Sequence, residues 1–444
     1  MASTYIYRDY NSAPTNGNKA TFSMWVKRGA ISSGSRQKII GAYDGGSAGQ
    51  YLEFNTDDTI RYHSGSGGAI SSTNAKFRDG FGWYHIVVQH DTTGSGTSDQ
   101  VKIYVNGELQ SMANNYGASV ASQFGKNSVK AVLGAEESGY SSQYYDGLIS
   151  HFHFIDGTIY APTVFGSTDS TTGEWKINTS PSVTYGTNGC FLFKDDNSLN
   201  DDSTNSNNFT LGNGTLTKTE DCPSNVFATW NKLDWGTTYF TLTNGSTTAQ
   251  SNASVFTYGV STLGVNSGKF YWEVEYDAKN GGNRFPQIGI TSTQTTNTQY
   301  ELGHYANDWC YYTNDTTGKL RNNNADNNWG TYYQEGDIIG VALDLDNNKL
   351  YFSKNGTWQE SGDPSAGNNG ISITAPSSTP LGFYFPAICY YDSTYRGTFK
   401  ANFGNGYFGT TAVSSAGTNA SGNGIFEYDV PTGYTALSTK GLNE

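Results

Sequence analysis

The chain has 444 residues, room for two or three ordinary domains. With 54 Gly, 32 Tyr and only 15% charged residues it favours short aromatic strands joined by turns over amphipathic helices. A formal net charge of −13 without any Lys/Arg cluster argues against a nucleic-acid surface. No apolar run approaches the roughly 20 residues of a membrane span, and MASTYIYRDY lacks the basic start and apolar core of a secretory signal, so neither membrane insertion nor export by the general secretory route is expected.

In chain order, ATFSMWVKRG places Phe22, Met24 and Val26 on one strand face, and GWYHIVVQHD does the same for Tyr84, Ile86 and Val88. VKIYVNGELQ carries Asn106-Gly107, a strong hairpin signal. A strict two-residue loop sets Ile103 and Val105 on the face opposite Tyr104 and Leu109, so this hairpin is either covered on both sides or closed by a longer loop. YYDGLISHFHFIDG reads as a strand with Phe152 and Phe154 on one side. His151 and His153 share the other face near Asp156, but no third spaced ligand completes a metal site, and surface histidines are the expectation.

The order and spacing of these segments resemble the laminin-G-like, concanavalin-type jelly roll. Such domains open with a strand followed by a D-x-S-L-N-D-x-S phrase, which here comes late, in GCFLFKDDNSLNDDSTNSNNFTLGN. The resemblance therefore implies a circular permutation, with a first sandwich over residues 1–215, its last strand within 189–213, and Ala161 to Asn188 as an excursion over its surface. Some laminin-G-like domains hold calcium at the sandwich rim, where Asp44 or Asp146 would serve, yet no residue matches a ligand motif and no cofactor is expected.

Residues 216–235, including Trp230 and Trp235, read as a short aromatic connector, and residues 236–444 as a second sandwich with a C-terminal closing segment. In GDIIGVALDLDNNKLYFSKNGTW, Ile339, Val341, Leu343 and Leu345 alternate with smaller or charged residues, and a two-residue Asn347-Asn348 turn sets Leu345 opposite Leu350, Leu343 opposite Phe352 and Asp346 opposite Lys349. With GKFYWEVEYD, QIGI, FPAI and NFG, this hairpin resembles the SPRY (B30.2-like) family in order and spacing. That implies a twisted β-sandwich that binds partners through its loops and carries no catalytic machinery. Glu273, Glu275 and Asp277 share one strand face, as the paired carboxylates of a glycosidase would, but W-E-V-E is what the resemblance expects on a solvated face.

Two aromatic clusters fall in predicted loops: Trp309, Tyr311 and Tyr312 with Arg321, Trp329, Tyr332 and Tyr333, and then Tyr390, Tyr391, Tyr395 and Arg396. Rings stack on sugars, and amide and guanidinium groups hydrogen-bond hydroxyls. Trp309, Tyr311, Tyr312, Arg321, Trp329, Tyr390, Tyr395 and Arg396 are therefore the candidate partner-binding residues, with no catalytic and no metal residues assigned. The four cysteines are widely spaced and read as small buried thiols.

The fold expectation is all-β: two tandem antiparallel β-sandwiches, both jelly rolls, with very little helix. DCPSNVFATWN and FEYDVPTGYTALSTK resemble segments of tailed-phage virion proteins in which a laminin-G-like module precedes a SPRY-like one. That implies a non-enzymatic virion structural protein, a tail fibre, appendage or capsid-decorating subunit, made in the host cytoplasm and released by lysis. Its expected partners are other virion proteins, further copies of itself within the particle, and a host-surface glycan or protein. The alternatives are a glycan-degrading enzyme of concanavalin-like fold and a purely structural subunit that binds only other virion proteins.

Overall fold

Strand Lys19–Arg28 is buried along nearly its whole length because both of its faces are covered. Phe22, Met24 and Val26 enter the main core, while on the other face Trp25 stacks on His85 beneath a second layer of chain. The computed structural model describes residues 3–443 except 30, 32–33, 47–48, 66–67, 119, 253, 279–284, 295, 297–298, 315 and 391–395. The chain divides into two units, Met1–Lys218 and Thr219–Glu444. Helix among the described residues amounts to the single turn Thr97–Gln100 and short 3₁₀ turns, in keeping with the all-β expectation.

In the first unit an eight-stranded antiparallel sheet runs Met112–Asn115, Ile70–Lys76, Thr59–Ser64, Gln50–Phe54, Gln37–Tyr43, Lys130–Leu133, Tyr5–Asp9, Thr210–Asn213. A six-stranded sheet runs Cys190–Leu192, Gly147–Asp156, Lys19–Arg28, Tyr84–Asp91, Val101–Val105, Glu108–Leu109. Ile40, Leu52, Ile60 and Tyr62 from the first meet Phe22, Ile86, Val88, Phe152 and Phe154 from the second in one core. The late segment supplies a strand to each sheet: Thr210–Asn213 pairs with Tyr5–Asp9, and Cys190–Leu192 with Gly147–Asp156.

Residues 157–188 run over the outer face of the six-stranded sheet. Phe165 packs there on Val87 and Ile155, with Tyr104, Tyr160 and Tyr185 around it. Trp175 stacks on His85 and donates its indole N–H to His85 Nδ1 at 3.0 Å. An indole nitrogen can only donate, so Nδ1 is an acceptor and Nε2–H donates to Ser23 Oγ at 2.9 Å. This layer settles the Asn106-Gly107 hairpin. It closes with two residues at φ 49° and 81°, pairing Tyr104 with Leu109, and Tyr104 lies under the excursion while Ile103 and Val105 face the core.

The histidine expectation is corrected. A bulge between Ser150 and His153, with His151 at φ 48°, breaks the regular two-residue alternation, and both rings are buried. His153 stacks on Phe191 at 4.0 Å and its Nδ1 bonds the Tyr185 hydroxyl at 2.9 Å. No group of three metal-ligating side chains occurs among the described residues, and Asp44 is ion-paired with Lys126 at 2.9 Å.

The second unit has a sheet in the order Phe240–Thr243, Thr248–Ser251, Gly397–Asn402, Lys269–Ala278, Ile338–Asp344, Lys349–Lys354, Thr357–Trp358, with Ile371–Ser372 and Thr435–Ala436 attached off this path. Its partner sheet runs Tyr258–Val260, Phe385–Cys389, Gln287–Thr291, Asp308–Thr313, Gly318–Asn322, Ala325–Asn328. The Gly336 to Trp358 hairpin forms, but its register differs by two residues from the expected one: Leu343 pairs with Leu350, Val341 with Phe352 and Asp344 with Lys349. The cause is local. Asp344 accepts the backbone N–H of Asn347 at 3.0 Å and its Nδ2 at 2.9 Å, which fixes a four-residue loop in which Asn348 alone takes positive φ. A shift of two preserves the faces, so the apolar side chains still reach the core.

Of the stretch expected to be a connector, residues 219–235 belong to this unit and residues 216–218 to the first. Trp230 is buried in its main core, and Phe227 packs with Phe426, Val430 and Tyr434 on Tyr271, Ala342 and Tyr351, closing the outer face of the larger sheet. Glu273 holds that cover in place. It accepts the backbone N–H groups of Glu427 and Tyr428, each at 2.9 Å, and the Tyr271 hydroxyl at 3.0 Å, and is 0% exposed. The W-E-V-E face is therefore not solvated at Glu273, because a segment 150 residues later lies over it. Glu275 and Asp277, further along the same strand, both pair with Lys400 at 2.9 Å. All four cysteines are free thiols, three buried and Cys222 half-buried.

Candidate binding sites

The aromatic residues expected to form loop sites are mostly structural. Strand Asp308–Thr313 lies inside its sheet with both faces covered: Trp309 and Tyr311 point into the main core, and Tyr312 packs with Tyr258 and Leu302 on the opposite side. Tyr333 and Tyr390 are core residues as well. Trp329, half-buried, meets Tyr311 edge-on at 5.2 Å. Arg321 is tied to Glu301 at 2.8 Å and Asp326 at 2.9 Å. Arg396 is exposed, whereas Tyr391 and Tyr395 lie outside the described residues. Exposure, the premise of this cluster as a binding surface, thus fails for Trp309, Tyr311, Tyr312 and Tyr390: a strand buried on both faces spends its aromatics on packing.

Sequence reasoning missed a groove of about 380 Å³ on the outer face of the eight-stranded sheet, at its Met112–Asn115 edge. Alternation builds it. Ile60 and Tyr62 enter the core, so Thr59 and Arg61 face outward, and on the next strand Ser72, Asn74 and Lys76 do the same. Asp57 fixes the hairpin at one end by accepting the N–H and hydroxyl of Thr59 at 3.2 and 2.7 Å, bonds that hold its carboxyl below the usual range. At the floor, Arg61 Nη2 lies 2.6 Å from Glu53 Oε1 and donates to the Tyr51 hydroxyl at 3.2 Å. Burial pushes the Glu53 carboxyl up while Arg61 and Arg36 pull it back. Asn114 and Tyr116 form the far wall, and the Tyr116 ring is 59% exposed.

A neutralised guanidinium, amide and hydroxyl groups in rows and one open ring can hydrogen-bond a polyhydroxylated ligand and stack on its apolar face. The signal in the sequence is faint: ISSTNAK is a strand whose outward positions after Ile70 are all polar, followed later by NNYG.

A smaller pocket of about 240 Å³ occurs in the second unit, between strand Tyr258–Val260 and the loop bearing Leu381 and Phe383. The carboxyl of Asp234 reaches it, held by the N–H of Thr237 at 3.2 Å.

Residues 2–165 match the laminin-G model described as the concanavalin A-like lectin/glucanases superfamily, and residues 269–405 match the SPRY domain model. No curated protein sequence matches the chain. Similar solved structures include stonustoxin, at 16% identity and TM-score 0.29 over 40% of this chain, which spans only 28% of the toxin chain. The SPRY domain of human HERC1 is similar at 18% identity and TM-score 0.26, over 35% of this chain and 86% of that one. The TRIM65 PSpry domain is similar at 12% identity and TM-score 0.28, over 39% and 88%. The chain carries a concanavalin A-like, laminin-G-like domain over residues 2–165 followed by a SPRY domain over residues 269–405.

Proposed function

We propose that this is a non-enzymatic subunit of a bacteriophage particle, a tail appendage or capsid-decorating protein, that binds a host-surface saccharide through the groove of its first unit. The groove is the observation that carries the reading: its polar rows, its internally neutralised Arg61 and its open Tyr116 suit an uncharged, hydroxyl-rich ligand. The absence of turnover is supported by the fate of the acidic triplet, since Glu273 lies beneath the C-terminal segment and Glu275 and Asp277 are bound to Lys400. The virion assignment draws on the two phage-like segments, which meet within the second unit: Ala228 N–H donates to Leu437 O at 2.9 Å and Thr439 N–H to Val226 O at 2.9 Å. They thus form one structural element that extends the SPRY core. Weak contacts repeated over many copies in a particle give firm attachment without a single tight site.

A glycan array combined with a reducing-end assay tests this reading. Capture of at least one saccharide without release of reducing ends is expected, with Tyr116→Ala weakening capture about tenfold, the equivalent of about 1.4 kcal/mol. Release of reducing ends indicates the glycan-degrading enzyme instead, and silence in both assays a purely structural subunit.

A further inference from the structure

We propose that the pocket beside Asp234 in the second unit receives a basic side chain, the lysine or arginine of an extended segment of a protein partner. Its walls are mixed: Phe385 and Tyr258 line it beside four neutral polar residues, and Leu381 and Phe383 stand at its mouth, 39% and 41% exposed. Leu381 and Phe383 are two of six large apolar side chains exposed among the described residues of this unit, and they flank one cavity. Asp234 is the one charged group among the residues lining the pocket. Its Oδ2 is fixed by the N–H of Thr237 at 3.2 Å and the Thr237 hydroxyl at 3.4 Å, and burial raises its carboxyl.

The mixture selects the occupant. A purely apolar side chain would desolvate Asp234 without compensation, and a small polar one would leave the phenylalanines uncovered. A lysine or arginine combines an aliphatic stem with a cationic head, and so satisfies the rings along its length and the carboxylate at its end, with Tyr258 and Phe385 available for cation–π contact. This site is independent of the saccharide groove, differs from it in chemistry and does not rest on that reading.

The competing explanation is that Asp234 serves only to hold Thr237 at the start of the short 3₁₀ turn Gly236–Tyr239. Asparagine accepts such bonds through its side-chain oxygen but carries no charge, so Asp234→Asn separates the two. The experiment titrates the full chain with Nα-acetyl-arginine amide, Nα-acetyl-lysine amide and Nα-acetyl-norleucine amide, following the Val260 methyl groups and the Gly236 and Thr237 amides by NMR. Saturable shifts with both cationic probes in the millimolar range are expected, about tenfold weaker with norleucine and about tenfold weaker in Asp234→Asn, whose melting stays unchanged. Phe383→Ser, which leaves the turn untouched, also weakens binding. Norleucine binding as well as arginine, Asp234→Asn binding as the parent does, or no saturable shift with any probe overturns the proposal and leaves Asp234 only holding Thr237.

Discussion

At pH 5 the first unit is expected to unfold or come close to it, while the second remains folded. Five of the six histidines, His63, His85, His90, His151 and His153, lie in the first unit, and burial lowers all five. His85 falls to about 3, His90 and His151 to about 4, and His153 well below its ordinary value. The hydrogen bonds give the reason for two of them. His85 Nδ1 accepts from Trp175, and His90 bonds the Val120 carbonyl through Nε2 at 3.0 Å, leaving Nδ1 to accept from the Tyr62 hydroxyl at 2.7 Å. A second proton on His85 would set a donor against the indole N–H, and one on His90 would force the Tyr62 hydroxyl, which already accepts from Gln50, to turn from donor to acceptor.

Above pH 6.5 these rings are neutral folded or unfolded, and their stability contribution is intact. Below it the unfolded chain binds protons that the folded one refuses, so stability falls as pH drops through the window from 6.5 to about 4. At pH 5 each of His85, His90 and His151 costs about 2 kcal/mol and the three together about 6 kcal/mol, with His153 acting in the same direction, comparable to the whole stability of an ordinary domain. In the second unit the sign reverses. Burial pushes Glu273 up to about 7 and Asp308 up to about 6, so the folded state holds protons that the unfolded chain gives up, and stability rises as pH falls from about 7 towards 4.5. Methyl NMR spectra at pH 7.5 and 5.0 check this. Resonances of the first unit, Ile39, Ile60 and Ile86 among them, should collapse towards random-coil positions while Ile288, Ile339 and Ile388 stay dispersed. Loss of both sets together, or retention of both, contradicts it.

Glu273→Ala is expected to lower the stability of the second unit by about 3 kcal/mol and to loosen residues 425–437. The substitution strands the N–H groups of Glu427 and Tyr428 and the hydroxyl of Tyr271, each about 1–3 kcal/mol when buried without a partner, offset in part by relief from burying the acid itself. Glu273→Gln keeps one acceptor oxygen, should lose less, and should reduce the rise in stability on acidification to the share of Asp308. Hydrogen exchange reads the local effect: the Glu427 and Tyr428 amides lose protection in the alanine variant before the core strands do. Unchanged protection there would show that Phe426, Val430 and Tyr434 hold the segment without the acid.

What the sequence disclosed follows from where its signals are local. Alternation in Phe22, Met24, Val26 and in Val341, Leu343 named core faces correctly, because a two-residue period needs no knowledge of the partner strand. The hairpin register slipped because Asp344 closes the loop with its side chain, a bond that residue types alone leave open. His151 and His153 misled because a bulge resets the period. Long-range cover was the larger gap. Nothing in GKFYWEVEYD announces that residues 425–437 fold over Glu273, and nothing in DWCYYT announces that both of its faces are buried. The groove escaped notice because its signal is a run of polar outward positions, Ser72, Asn74 and Lys76, which reads like any solvated strand.

The claim that the first unit captures a saccharide on its sheet face, without cleaving it, is tested most directly by titrating the full chain with an oligosaccharide retained on the array and mapping where its resonances move. The account predicts shifts confined to the groove, at Arg61, Ser72, Asn114 and Tyr116, loss of affinity in Tyr116→Ala and Asn114→Ala, and an intact sugar at the end of the titration. Shifts that map elsewhere in the chain, or a sugar recovered in pieces, would contradict it.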